Sequence, residues 1–265
     1  MRGVLAPLST AMKLILAQPK LFIPKFFLAF VWGSLMLYSL DLLSRAASLS
    51  GVPPELLSGT GLQGMIFEAE IFAAAFVIAF LLDTFINSLY PELSKQYRSR
   101  ESISFSGAFR SAKPKLGGIF SAIIASTVIS FLILTPFSIA FGFALFSGNL
   151  LWIALSSIIL AIVALLISGI FYLVNPIAVL EGKGIAAISK SFSMGKRIAP
   201  AVSAAVLVSF VLSLISAFAA LSFGGIGWLG FILARVLTSI VATYQIALNP
   251  EVYLENRQKA LGERK

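Results

Sequence analysis

The chain has no cysteine and no histidine. Without cysteine there is no disulfide framework, thiolate metal site or thiol nucleophile, and without histidine no imidazole base or ligand. Charge is scarce too: Asp, Glu, Lys and Arg make up 12% of the 265 residues, half the roughly 25% usual in soluble domains. What fills the chain is apolar, with 58% hydrophobic residues and a mean hydropathy of +0.97. That balance excludes an ordinary soluble protein and places the chain in a lipid bilayer.

A spanning helix needs roughly 20 mainly apolar residues to cross about 30 Å of hydrocarbon. Six stretches qualify: 22–43, 66–89, 116–146, 150–174, 198–223 and 228–248. The third exceeds one span and holds Pro136, so a kink, tilt or extension is expected there. Residues 147–149 and 224–227 are all that separate spans three from four and five from six, which makes both pairs tight antiparallel hairpins. The connection 44–65, with Pro53 and Pro54, reads as a loop with one short interfacial helix around Glu55 to Ser58.

The net charge of +9 is placed asymmetrically. All Lys and Arg residues except Arg45 and Arg235 fall on one side: in the N-terminal segment, the connections after spans two and four, and the C-terminal tail. By the positive-inside rule both termini are cytoplasmic and the protein is a multi-pass protein of the cell membrane. With no aromatic platform or reading motif beside it, this charge sets topology and meets anionic lipid headgroups; nucleic acid is not an expected partner. Pro19, Lys20, Pro24 and Lys25 interrupt the N-terminal apolar run, so 8–17 reads as a short amphipathic helix and not as a secretory signal.

Three segments share an order of parts. Each opens on a basic stretch, Gln18-Pro19-Lys20-Leu21, Lys113-Pro114-Lys115-Leu116 or Gly195-Lys196-Arg197-Ile198. Two spans follow, and each segment closes on a polar residue and proline: Tyr90-Pro91, Asn175-Pro176 and Asn249-Pro250. Because residues before proline are pushed from helical geometry, Tyr90, Asn175 and Asn249 are expected to mark helix ends, with the asparagine side chains satisfying open carbonyls. The expected fold is an all-α integral membrane protein, a single domain over 1–265. Its six transmembrane helices form three parallel two-helix repeats, at about 8–91, 106–176 and 186–250, with short cytoplasmic interfacial helices and a cytoplasmic tail over 251–265. Repeats of equal orientation differ from the inverted repeats of many secondary transporters.

The stretch from Asn175 to Ile198 is the most distinctive. Pro176, Glu181, Gly182, Ala186, Ser189, Ser191 and Lys196 follow a pattern that resembles the link between spans four and five in six-span prokaryotic proteins related to the membrane domain of glycerophosphodiester phosphodiesterases. The resemblance implies the six-span layout and a membrane-lipid context, with no catalytic residue, since the chemistry of those enzymes belongs to a separate soluble barrel. Read from the residues alone, Gly182 and Gly184 allow a tight turn, and Ile185, Ile188 and Phe192 form the apolar side of an interfacial helix. Lys190, Lys196 and Arg197, with Lys113 and Lys115, are the candidate contacts for anionic lipid on the cytoplasmic side.

Charges inside spans are costly, about 2.5–3.5 kcal/mol each at the bilayer centre, which singles out Asp83 and Arg235, either as a pair across a polar cavity or with Arg235 snorkelling outward toward the level of Trp228. Helical spacing adds Asn87 beside Asp83, Ser168, Tyr172 and Asn175 in span four, and Asn249 in line with Arg235 in span six. Together these form a candidate intramembrane polar site on the second helix of each repeat. Small polar residues in spans three and five, including Ser209, Ser213 and Ser216, read as packing contacts.

Glu92, Glu101, Glu181 and Glu251 are scattered and read as caps or surface charges, so no catalytic, metal or cofactor site is expected. The expected function is a non-enzymatic membrane protein acting in lipid or envelope homeostasis, or as a membrane partner for another protein or a second copy of itself. The alternative is a transporter or channel for a small solute or lipid, running along the polar faces of spans two, four and six.

Overall fold

The computed structural model describes residues 2–49, 59–223 and 226–261. Ten α-helices are found among them: α1 (Arg2–Ala17), α2 (Phe22–Leu49), α3 (Gly59–Arg98), α4 (Phe105–Ala112), α5 (Leu116–Ser147), α6 (Leu150–Phe171), α7 (Val174–Glu181), α8 (Ala186–Arg197), α9 (Ala199–Phe223) and α10 (Gly227–Leu261). Single 3₁₀ turns, Pro19–Leu21 and Lys113–Lys115, lead into α2 and α5. Six helical segments are long and apolar enough to cross a membrane, and the chain is a helical multi-pass membrane protein. Large apolar side chains such as Phe146, Leu150 and Phe218 point outward from the bundle, as a lipid solvent requires.

The α5–α6 hairpin is as tight as the sequence predicts. Gly148 ends α5 at φ +64°, and the Asn149 side chain caps α6 by accepting from the N–H groups of Leu151 and Trp152. The α2–α3 connection is shorter than expected, because α2 continues to Leu49 and α3 begins at Gly59. The helix expected at Glu55 to Ser58 lies outside the described residues, as do Gly224 and Gly225.

The closing prolines do not end their helices as expected. α3 runs through Pro91 to Arg98, and α10 through Pro250 to Leu261. An interior proline costs about 3 kcal/mol, but the residues beyond it are core: Leu93, Ser94, Glu251 and Tyr253 are fully buried. One buried Leu or Val side chain alone is worth about 1.5–3 kcal/mol, so burial outweighs the local penalty. Residues 251–253 therefore belong to the packed bundle and not to a free tail. In the remaining case the helix breaks ahead of its proline, between Phe171 and Val174, with Pro176 in the first turn of α7.

The end of the bundle with the basic connections holds most of the core. α1 packs Ala11, Leu14 and Ile15 fully inward, and Tyr244 Oη donates to its Leu8 carbonyl at 3.2 Å. α8 turns Ala187, Ser191 and Met194 to the bundle; of the side predicted to be apolar, Ile188 packs against the core while Ile185 and Phe192 are exposed. Ser191 bridges the α6–α7 break, donating to Ile170 O at 2.8 Å and accepting from Leu173 N at 3.2 Å.

Candidate functional site

Proline has no N–H, so the carbonyl four residues before it loses its helical partner. For Pro91 that carbonyl is Asn87 O, and the side-chain amide of Asn175 donates to it at 3.2 Å. For Pro176 it is Tyr172 O, and the side-chain amide of Asn249 donates to it. Each asparagine thus fills the gap left by the proline that closes the preceding pair of spans. Tyr90, the residue before Pro91, instead directs its hydroxyl to Leu21 O at 2.7 Å.

Asn175 and Asn249 use their N–H₂ groups in this way, which leaves their side-chain oxygens over. Asn87 Oδ1, Asn175 Oδ1 and Asn249 Oδ1 are buried and accept no hydrogen bond among the described residues. Asn87 and Asn249 line a cavity of about 430 Å³ together with Lys25, Ser168, Tyr172 and Gln245. The predicted polar stripe is therefore a wall of one chamber, with Asn175 tied to it through Asn87.

Asp83 and Arg235 are not a pair. Asp83 accepts from Lys25 Nζ at 2.8 Å, and Lys25, grouped by sequence with the topology-setting charges, is buried at 7% exposure. Lys25 lies only one turn into α2, close to the level of Asp83, whereas Arg235 is two turns further from the basic end than Asp83 when each is counted from its own proline. The Lys25–Asp83 pair keeps the polar chamber near neutrality.

Arg235 lies in a second chamber, a more apolar one of about 810 Å³ lined by Gly33, Met36, Ala220, Trp228 and Phe231 among others. Its guanidinium carbon stands 5.5 Å from the centre of the Phe231 ring. Gly33 makes room for it, since a Cβ there would lie 2.5 Å from Arg235 Cδ. The two chambers share Ser213, Ala242 and Gln245 in their walls. Gln245 Nε2 donates to Ser209 O at 2.7 Å and to Ser213 Oγ at 2.8 Å, bracing α9 against α10 at the shared wall. Ser209 and Ser213, read from sequence as packing residues, and Gln245, unremarked there, are walls of the site. Their signal was a glutamine inside an apolar helix.

At the basic end Glu92, Glu181 and Glu251, expected as caps or surface charges, are drawn into ion pairs, while Glu101 is exposed as expected. Glu251 is fully buried, with one oxygen 2.7 Å from Arg98 Nε, and Arg98 also reaches Glu255 at 2.9 Å. Glu181 pairs with Lys190 and accepts from Tyr253 Oη at 2.5 Å, joining α7, α8 and α10. Lys115 donates to Val179 O at 2.7 Å and stands 3.6 Å from Glu92. Of the five candidate lipid contacts, Lys115 and Lys190 are thus engaged within the protein. Lys113 and Lys196 are exposed, Lys196 lying 4.1 Å over the Phe192 ring, and Arg197 is exposed but has a partner within the chain.

No protein-family model, curated protein or solved structure matches this chain.

Proposed function

We propose that this is a non-enzymatic multi-pass membrane protein of lipid or envelope homeostasis, and that its two adjoining chambers take in a membrane amphiphile. The observation that carries the reading is the wall shared at Ser213, Ala242 and Gln245, which sets a polar-lined chamber beside a larger, mainly apolar one. Ligand sites of about 300–1,000 Å³ with an apolar lining and a few placed polar groups have this character. The larger chamber includes the outward-facing side chains of Met36, Leu37, Leu221 and Trp228, which gives entry from the surrounding lipid.

In this reading the basic end is cytoplasmic in the cell membrane. Exposed Ile185 and Phe192 dip toward the headgroups there, with Lys196, Arg197 and Lys113 meeting anionic lipid. The two asparagine-to-carbonyl bonds support a threefold plan, because each obeys the same rule relative to its proline. The resemblance of 175–198 to the membrane domain of glycerophosphodiester phosphodiesterases adds a lipid context.

A screen of melting temperature against lipids and single-chain amphiphiles tests the reading, since a ligand that binds the folded state stabilises it by mass action. At least one amphiphile is expected to raise the melting temperature saturably in the parent and to have no such effect in Ala242→Trp, which puts bulk into the shared wall. No response to any amphiphile, or an equal response in both proteins, contradicts it.

A second reading, transport of a small solute or lipid along the polar faces of spans two, four and six, is favoured by one feature. The chambers together follow α10 from Asn249 to Gly227, the smaller walled by spans two, four and six among others and the larger by spans one, five and six. Flux across proteoliposomes that Ala242→Trp abolishes would select it.

A further inference from the structure

We infer that the larger chamber is a binding site for a long-chain carboxylate, with Arg235 as the group that recognises its acid head. The inference rests on the reading that this chamber takes an amphiphile, and it names the chemical class.

Charge complementarity carries the argument. Arg235 forms no ion pair among the described residues, whereas Lys25 is matched by Asp83, and Arg45 by Asp41 at 3.0 Å and Glu68 at 2.5 Å. Its Nε is buried and donates to nothing. A half-buried guanidinium in an open, mainly apolar chamber within a span, without a counter-ion, calls for an anion, and its planar fork fits the two oxygens of a carboxylate. The cation is positioned by the fold: Gly33 leaves the space it occupies, and Phe231 lies under the guanidinium.

The remaining polar atoms of the chamber narrow the choice of occupant. Thr238 Oγ1 bonds to Ala234 O at 2.8 Å and stands 3.1 Å from Ser216 Oγ, and Ser213 Oγ accepts from Gln245. These hydroxyls already have partners, so Arg235 is the one charged group amid mainly apolar walls, with the Trp228 indole N–H and Gln245 Oε1 as lesser polar groups. A ligand with one small acid head and an apolar remainder matches that inventory. A large polar headgroup would bring hydrogen-bonding groups that find no partners, at a cost that such sites impose on mismatched ligands.

The test uses the full chain purified in a neutral detergent, with oleate, methyl oleate and oleyl phosphate as probes. Oleate is expected to bind saturably at one per chain and at least about tenfold more tightly than its methyl ester, as loss of a hydrogen-bonded charge pair implies. Arg235→Gln should bring acid and ester to within about twofold of each other by weakening the acid alone. Ala220→Phe, which fills the chamber and keeps the arginine, should lose both. Equal binding of acid and ester by the parent overturns the proposal even if Arg235→Gln fails to fold, and so does an acid preference that survives Arg235→Gln. Preference for oleyl phosphate over oleate overturns the carboxylate assignment. Binding of some other amphiphile that Ala220→Phe abolishes, with oleate inert, also overturns it while leaving the broader reading intact.

Discussion

Asn249 donates its side-chain amide to the carbonyl of Tyr172, the acceptor that Pro176 leaves without a partner four residues along. One side chain thereby ties α10 to the break between α6 and α7 in the wall of the polar chamber, and its own oxygen is left buried without a partner among the described residues.

Asn249→Ala should destabilise the detergent-solubilised protein by about 1–3 kcal/mol, the cost of leaving a buried carbonyl unsatisfied. Pro176→Ala restores an N–H that can reach Tyr172 O, so the double variant should recover part of the loss. Thermal unfolding across this cycle measures the coupling, and additive shifts would show that the amide and the proline are independent.

The Lys25–Asp83 pair predicts a second cycle. Lys25→Gln or Asp83→Asn alone strands a buried charge and should cost about 3–5 kcal/mol, while the double change should recover much of it. Asp83→Asn combined with Arg235→Gln should instead be additive, because these residues share no contact. Melting temperatures of the five variants check both statements.

Arg98 joins α3 to α10 through fully buried Glu251. Arg98→Gln should therefore destabilise strongly, and adding Glu251→Gln should restore part of the stability by removing the lone charge. A surface charge without such a partner, such as Lys183, should be replaceable with a change within about 0.5 kcal/mol. Equal effects at Arg98 and Lys183 would refute the buried network.

Orientation is open to direct labelling, since the chain has no cysteine of its own. Single cysteines at Ser58, Ser99 and Ser189 are expected to react with an impermeant thiol reagent in intact cells only at Ser58→Cys. External labelling of Ser99→Cys would invert the assignment.

The features legible in the sequence were those governed by local rules. Six apolar runs gave the six spans, Gly148 and Asn149 the short hairpin, and Gly182 and Gly184 a turn built at φ +68° and +51°. The polar stripe was legible as well, because periodicity places Asn87, Ser168, Tyr172 and Asn249 on inward faces. What local rules missed was set by distant parts of the chain. Pro91 and Pro250 read as stops because nothing nearby reveals that Leu93 and Tyr253 are core. Lys25 read as a topology signal because its partner is 58 residues away, and Gln245 went unremarked because its partners are on α9.

The most direct measurement of the central claim is native mass spectrometry of the gently extracted protein beside its Ala242→Trp and Ala220→Phe variants. The account predicts that the parent carries one amphiphile per chain through detergent exchange and that both chamber-filling variants, folded to the same melting profile, arrive bare. A bare parent, or the same adduct on all three proteins, would contradict it.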